Sequence, residues 1–206
     1  MATDAGSSGS GDQETLDYYS AEARAYADRT AGEADSPSMA RFTAMLPAGG
    51  AVLDFGCGPA WAAHRFQQQG FEVTAMDGST GLAEEAMRRY GVVVTVGNFD
   101  EFSAEAAFDG IWASFSLLHD TRAAMPGHLQ RLHRALRPNG ALYIGLKEGT
   151  GEMRDSLNRR YTYFELSEME RLLTAAGFHL DHHDRDSVLG MDGVEAKCIH
   201  LFAHRD

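Results

Sequence analysis

Asp54 stands two residues ahead of Gly56-Cys57-Gly58, and this pairing of a carboxylate with a glycine loop limits the chemistry open to the chain. The apolar run Ala51-Val52-Leu53 leads into it as a buried strand. The two glycines let the backbone turn sharply and approach a ligand without Cβ interference. Loops of this type commonly cradle phosphates, but a carboxylate beside the turn repels a pyrophosphate and attracts a cation. Where a dinucleotide fingerprint needs a third glycine for tight helix-on-strand packing, this chain has Trp61. The loop therefore suits a positively charged, nucleoside-containing ligand.

Asp77 ends the next apolar run. Ligands of open parallel sheets bind outside the carboxyl ends of the strands, where an acid accepts from both hydroxyls of a ribose. Dehydrogenases use the same device, and a solvated acid after a strand is the plainer alternative. His119 closes the stretch Ser114-Phe115-Ser116-Leu117-Leu118. An imidazole's ordinary pKa suits it to take a proton from an oxygen or nitrogen acceptor. The other reading is a ring that shapes the pocket or bonds its own helix start. Lys147, Glu148 and the polar stretch to Tyr163 carry Arg154, Arg159, Arg160 and Tyr161, and the arginines offer charge to an anionic acceptor or sit in solvent. His179, His182, His183 and Asp184 have metal-ligand chemistry but lie on an expected strand. Only His179, Asp181 and His183 share a face there, so we read edge residues and expect no metal site.

These residues need strands that end at them. Strands are predicted over 51–55, 71–76, 92–96, 108–113 and 141–147, with helices over 59–69, 80–90 and 121–137 between them. Ser79 caps the second of these helices and Gly91 ends it. Such alternation predicts a parallel sheet with helices on both faces. Upstream, Leu16, Tyr19, Ala23, Tyr26 and Ala27 have helical spacing from Glu14 to Arg29. Ser36-Pro37 then opens a helix with Met39, Phe42, Met45 and Leu46 on one stripe. Downstream, Ser167-Glu168-Met169-Glu170 reads as a capping box opening a helix that runs to Gly177. Strands over 178–187 and 194–203 follow, joined around Gly190 to Gly193. Residues 1–12, rich in Gly, Ser and Asp, read as a disordered tail.

Val52-Leu53-Asp54-Phe55-Gly56-Cys57-Gly58 resembles the first motif of the class I, Rossmann-like S-adenosylmethionine-dependent methyltransferases. Met76-Asp77-Gly78-Ser79, Gly97-Asn98-Phe99-Asp100, Phe108-Asp109-Gly110-Ile111-Trp112-Ala113 and Leu136-Arg137-Pro138-Asn139-Gly140 continue the resemblance in order. The whole chain is similar to small bacterial methyltransferases of the tellurite-resistance and uncharacterised type. The resemblance implies an α/β, doubly wound, seven-stranded, mostly parallel sheet with an antiparallel last strand and N-terminal lid helices. Residues 13–206 then form a single methyltransferase domain, with 13–47 as lid and 50–206 as core.

The resemblance also implies S-adenosylmethionine as cofactor, leaving as S-adenosylhomocysteine. It is held by Tyr26, Asp54, Gly56, Cys57, Gly58, Asp77, Gly78, Asn98, Phe99 and Ser114. Asp54 and the glycine loop take the methionine end, Asp77 the ribose, and Asn98 with Phe99 the adenine. Gly78 leaves room for the adenine face, and Tyr26 reaches from the lid to the methionine carboxylate. The family more often has Asp at the position of Asn98, whose amide carbonyl still accepts from an exocyclic amine.

The expected reaction moves a methyl group to an oxygen or nitrogen atom of a small-molecule acceptor, with sulfur, selenium or tellurium as the next choice, by direct in-line displacement. Such chemistry runs on proximity and orientation, so no base is obligatory, and His119 is the catalytic candidate. A non-catalytic S-adenosylmethionine-binding protein remains a rival reading. An NAD(P)-dependent oxidoreductase is another, opposed by Asp54 and Trp61. No Asn-Pro-Pro-Tyr or Asp-Pro-Pro-Tyr of exocyclic-amine DNA methyltransferases follows the fourth strand, and no Pro-Cys of cytosine-C5 enzymes occurs.

Composition sets the remaining bounds. The 206 residues suffice for one well-buried domain. A formal net charge of -12 speaks against long nucleic acid as a partner. Two cysteines, Cys57 and Cys198, make no disulfide framework, and the N-terminus lacks a secretion pattern, so a cytoplasmic setting is expected. No apolar run reaches membrane-spanning length. A monomer or homodimer is expected.

Overall fold

Alternation along the central strands divides the apolar residues between two faces, and this division builds the fold. The computed structural model describes residues 11–30 and 36–206. The expected tail lies outside the described residues apart from Gly11 and Asp12, and Asp12 is the N-cap of the first helix. In chain order the elements begin with α1 (Gln13–Ala21), α2 (Ala23–Thr30), α3 (Pro37–Ala44), β1 (Ala51–Phe55), α4 (Trp61–Gln68), β2 (Glu72–Asp77), α5 (Thr80–Tyr90) and β3 (Val94–Val96). They continue with β4 (Phe108–Ser114), a 3-10 turn (Leu117–His119), α6 (Met125–Ala135), β5 (Leu136–Lys147), β6 (Glu152–Arg154) and β7 (Arg160–Thr162). The chain closes with α7 (Leu166–Ala175), β8 (Phe178–Leu189) and β9 (Glu195–Arg205).

Seven strands form one sheet in the order β3-β2-β1-β4-β5-β9-β8. The first five pair in parallel, whereas β9 runs antiparallel to both β5 and β8. The doubly wound architecture with an antiparallel last strand is the expected one. Leu53, Ile111, Leu142, Ile144 and Leu201 face Leu129 and Leu132 of α6 and Met169 and Leu173 of α7. Val52, Trp112, Tyr143 and Phe202 point to the other face, against Met39 and Phe42 of α3 and Ala62 and Phe66 of α4. Trp112 stacks on Tyr143 with ring centroids 3.7 Å apart.

Several caps match the sequence. Ser36 accepts from the Met39 N–H, Ser79 from the Leu82 N–H, and Gly91 ends α5 at φ 67°. Others do not. The single helix expected from Glu14 to Arg29 is interrupted at Glu22 (φ -101°, ψ 15°), although the Tyr26 N–H still bonds the Glu22 carbonyl and carries the direction on. The capping box is absent. Helix α7 starts at Leu166 with Glu165 as N-cap, so Ser167 already lies inside the first turn. The stretch expected to be a polar loop contains the β6–β7 hairpin. Among the described residues no helix is long and apolar enough to cross a membrane.

Candidate active site

The carboxyl ends of β1, β2, β4 and β5 open into a cavity of about 900 Å3, roofed by α1 and α2 and flanked by the β6–β7 hairpin. Tyr26, Asp54, Gly56, Cys57, Gly58, Asp77, Gly78, Asn98, Phe99, Ser114 and His119 all line it, so the structure brings every sequence-chosen site residue to one cavity.

The glycine loop is anchored from below. Gly56 and Cys57 donate their N–H groups to the Met76 carbonyl of β2 at 2.8 and 2.9 Å. Gly56 sits at φ 75°, and a Cβ there would lie 2.2 Å from Ser116 Cβ, so only glycine fits. Asp54 is buried and accepts from the Ala63 N–H at 3.0 Å. The N-cap position of α4 is Ala60, with no side-chain cap bond, so Asp54 serves the helix in its place. Burial pushes the Asp54 carboxyl up to about 8, with the nearby Asp77 adding to the rise and the Ala63 N–H opposing it.

Asp77 accepts from the Gly58 N–H and the Ser79 N–H, each at 2.8 Å, clipping the loop to the end of β2 and the start of α5. Burial raises its pKa as well. Its carboxylate retains lone pairs for further donors. Gly78 faces the lid, because a Cβ there would meet Leu16 Cδ2 of α1 at 2.7 Å. The expected space over Gly78 therefore holds Leu16. The side chain of Phe99 packs on Phe55 at 4.6 Å between centroids and edge-on to His128, which makes it part of the cavity wall. Tyr26 lies over the loop, 3.7 Å from where a Gly58 Cβ would be. Phe115, directly after β4, adopts φ 53°, a strained conformation for a non-glycine residue between two cavity-lining serines.

Comparison with known proteins agrees with this geometry. Residues 52–140 match the methyltransferase domain family. Over 93 residues the chain is 35% identical to malonyl-[acyl-carrier protein] O-methyltransferase of Enterobacter lignolyticus, covering 44% of this chain and 36% of that protein. It thus spans little more than a third of the length of the curated relatives it matches. The structure of Burkholderia thailandensis 1,6-didemethyltoxoflavin-N1-methyltransferase, with 1,6-didemethyltoxoflavin and S-adenosylhomocysteine bound, aligns at TM-score 0.75 and 27% identity over 94% of this chain and 88% of that one. Residues 52–140 therefore carry a methyltransferase domain, in a chain that shares the fold of an S-adenosylhomocysteine-bound methyltransferase. A TehB-like methyltransferase structure from Corynebacterium glutamicum shares the fold at TM-score 0.68 and 20% identity, over 90% of this chain and 99% of that one.

The donor set of this methyltransferase domain fits S-adenosylmethionine. Two buried acids, Asp54 and Asp77, flank the glycine loop, and in their ionised form they suit cationic and hydroxyl groups and repel a pyrophosphate.

His119 is held on both sides. Its Nδ1–H donates to the Arg160 carbonyl at 2.7 Å, which leaves Nε2 as acceptor for the Tyr19 hydroxyl at 3.0 Å. Burial lowers its pKa to about 4, so the ring is neutral near pH 7 and a weak base. Tyr19 also accepts from Arg159 at 3.1 Å. Arg159, read with its neighbours as a surface charge, is 1% exposed and paired with Asp155 at 2.5 Å. Its only sequence signal is an acid four residues earlier.

A second cavity imidazole gave no sequence signal. His200 of β9 meets Asp186 of β8 through Nε2 at 2.9 Å, and its Nδ1 faces the Tyr143 hydroxyl at 2.7 Å. Of the cluster on β8 the three histidines do not line the cavity, whereas Asp184 does. A register shift between Leu180 and His182 breaks the alternation, so His204 of β9, not His183, joins His179 and Asp181. These three are side by side at the sheet edge, with Asp181 bonded to His204 Nδ1 at 2.8 Å.

Proposed function

We propose that this chain transfers the methyl group of S-adenosylmethionine to an oxygen or nitrogen atom of a small molecule, with a sulfur, selenium or tellurium atom as the less favoured acceptor. The observation that carries this reading is the pair of buried carboxylates, Asp54 and Asp77, flanking the Gly56–Gly58 loop in one lidded cavity. A volume of about 900 Å3 accommodates a nucleoside cofactor with a small partner rather than a folded macromolecule. The relatives support an oxygen or nitrogen acceptor, since one is named for O-methylation and the other for N1-methylation. Long nucleic acid fits poorly with a formal net charge of -12.

Bound there, S-adenosylmethionine supplies a sulfonium methyl, whose carbon–sulfur bond breaks with its electron pair left on sulfur as an acceptor lone pair bonds to carbon. In our reading Asp54 and the loop hold the ammonium end, Asp77 the ribose, and Asn98 with the Phe99 backbone the adenine edge. The lid and the β6–β7 hairpin exclude water and orient the acceptor for attack opposite sulfur. Where the acceptor loses a proton, Tyr143 and His200 suit the transfer better than His119. The Tyr143 oxygen receives the acceptor's proton as its own hydrogen passes to His200 Nδ1, and Asp186 stabilises the resulting cation. The lone pair of His119 is engaged by Tyr19.

Calorimetric titration with S-adenosylmethionine, S-adenosylhomocysteine and NADH tests the reading. Binding of the first two, weakened roughly tenfold or more in Asp77→Ala, with none for NADH, supports it. Tight NADH binding, or no binding of either sulfur compound, overturns it. An acceptor screen that follows release of S-adenosylhomocysteine then separates an enzyme from a silent binder.

A further inference from the structure

Lys147 is the last residue of β5, lines the cavity and is 6% exposed. Its ammonium lies 3.6 Å from the centre of the Tyr161 ring. That contact attracts the cation without neutralising it. Among the described residues no carboxylate oxygen lies within 4.0 Å of the ammonium, the distance that defines an ion pair. The neighbouring charges are matched. Arg159, whose guanidinium lies 5.2 Å from the same ring, is paired with Asp155, and Glu148 is paired with Arg185 at 2.8 Å. His119, beside Tyr161, is neutral.

A chain with a formal net charge of -12 thus keeps, among the described residues, an ammonium without an ion-pair partner inside this cavity. Taking a charge out of water is costly unless a partner compensates it, and here Asp192 and Asp155 attract the ammonium from a distance without forming an ion pair among the described residues. Burial accordingly holds the Lys147 pKa below the ordinary lysine value. Within the cavity Asp54 and Asp77 flank the glycine loop, and Lys147 stands at the end of β5. A ligand oxyanion would complete this place with a charge-assisted hydrogen bond.

We propose that Lys147 binds a carboxylate of the methyl acceptor, so that the substrates of this site are small carboxylic acids. The proposal deepens the methyltransferase reading and rests on it. The carboxylate of the cofactor itself is the competing anion. In our reading it lies at the other end of the cavity, by the glycine loop and Tyr26, so the two assignments separate experimentally.

The test titrates protein saturated with S-adenosylhomocysteine with a set of small aromatic and aliphatic carboxylic acids, each paired with its uncharged primary amide. We expect acids to bind about tenfold or more tightly than their amides. Lys147→Met and Lys147→Gln should erase the difference and Lys147→Arg should keep much of it, while affinity for S-adenosylhomocysteine stays within about twofold in all three. That last affinity also shows which variants fold, and the glutamine variant serves if the methionine variant does not. The proposal falls if no acid outbinds its amide, or if the preference survives loss of the ammonium. It also falls if affinity for S-adenosylhomocysteine drops with the charge, which would assign Lys147 to the cofactor. Failure of the wild type to bind S-adenosylhomocysteine would instead sink the cofactor reading beneath it.

Discussion

The Tyr19 hydroxyl of the lid donates to His119 Nε2 at 3.0 Å while accepting from Arg159 at 3.1 Å. One oxygen therefore joins α1 to the turn after β4 and to the residue that leads into β7 of the β6–β7 hairpin. Tyr19→Phe removes it with little change of shape and leaves a buried guanidinium N–H and an imidazole nitrogen without this partner. We expect a loss of about 1–3 kcal/mol of stability. Thermal denaturation should show a fall in Tm of several degrees, and an unchanged Tm would mean that the lid is not held through this hydroxyl.

Asp12 closes the lid from its other end. It caps α1 through the Thr15 N–H and reaches Arg154 at 2.5 Å on the hairpin, while Thr15 Oγ1 accepts from the Arg160 N–H at 2.8 Å. Burial opposes its ionised form, but the bonds from Arg154 and Thr15 prevail and hold its carboxyl well below the usual carboxylate range. Asp12→Ala should free the lid, so that S-adenosylhomocysteine dissociates several-fold faster in stopped-flow measurements. Raised salt should speed the wild type toward the variant, because the latch is partly exposed. Equal dissociation rates would show that the lid does not retain the ligand.

The parts of this site legible in the sequence are those set by local rules. Asp54 and Asp77 could be placed because a buried strand must precede each and a glycine turn must follow the first. Helix starts were legible where a side chain caps, as at Ser36 and Ser79. At α7 the same rule misled: Glu165 is the N-cap without a side-chain bond, and Leu166 packs on the core from the first helical position. Burial of an apolar residue outweighed a good cap. The part of the cavity around His200 and Arg159 was not legible because pairing across the chain creates it. His200 meets Asp186 only because the β8–β9 register sets His200 opposite Asp184, with Asp186 two residues further along. Arg159 packs against Tyr18 and Tyr19 of α1 as well as its neighbour Tyr161, and no window around residue 159 contains the first two.

Gly56 tests the loop without altering any charge. Its positive φ disfavours any side chain, and the Cβ of Gly56→Ala would strike Ser116, whose hydroxyl is fixed by donating to the Phe55 carbonyl at 2.6 Å. Strain of about 1–3 kcal/mol from the backbone adds to a similar cost of overpacking. Chemical denaturation should therefore show a loss of roughly 2–6 kcal/mol together with loss of cofactor binding. A variant that is stable and binds normally would mean that the loop is far more pliant than this packing allows.

Asp54 gives the site a pH dependence of definite sign. Its ordinary value is 3.8, and burial raises it to about 8 in the ligand-free protein. The folded chain therefore holds a proton that the unfolded chain has lost. This contribution to stability is full below about pH 4 and is lost as pH rises through about 8. A bound ammonium group favours the carboxylate, so binding must expel that proton. Between about pH 5.5 and 7, where an α-amino group stays mostly protonated, affinity for S-adenosylhomocysteine should rise with pH by up to tenfold per unit. Calorimetry in two buffers of different ionisation enthalpy should then count close to one proton released at pH 7. Asp54→Asn should bind more weakly and release none. Proton uptake by the wild type, or equal release by the variant, would move the ammonium site away from Asp54.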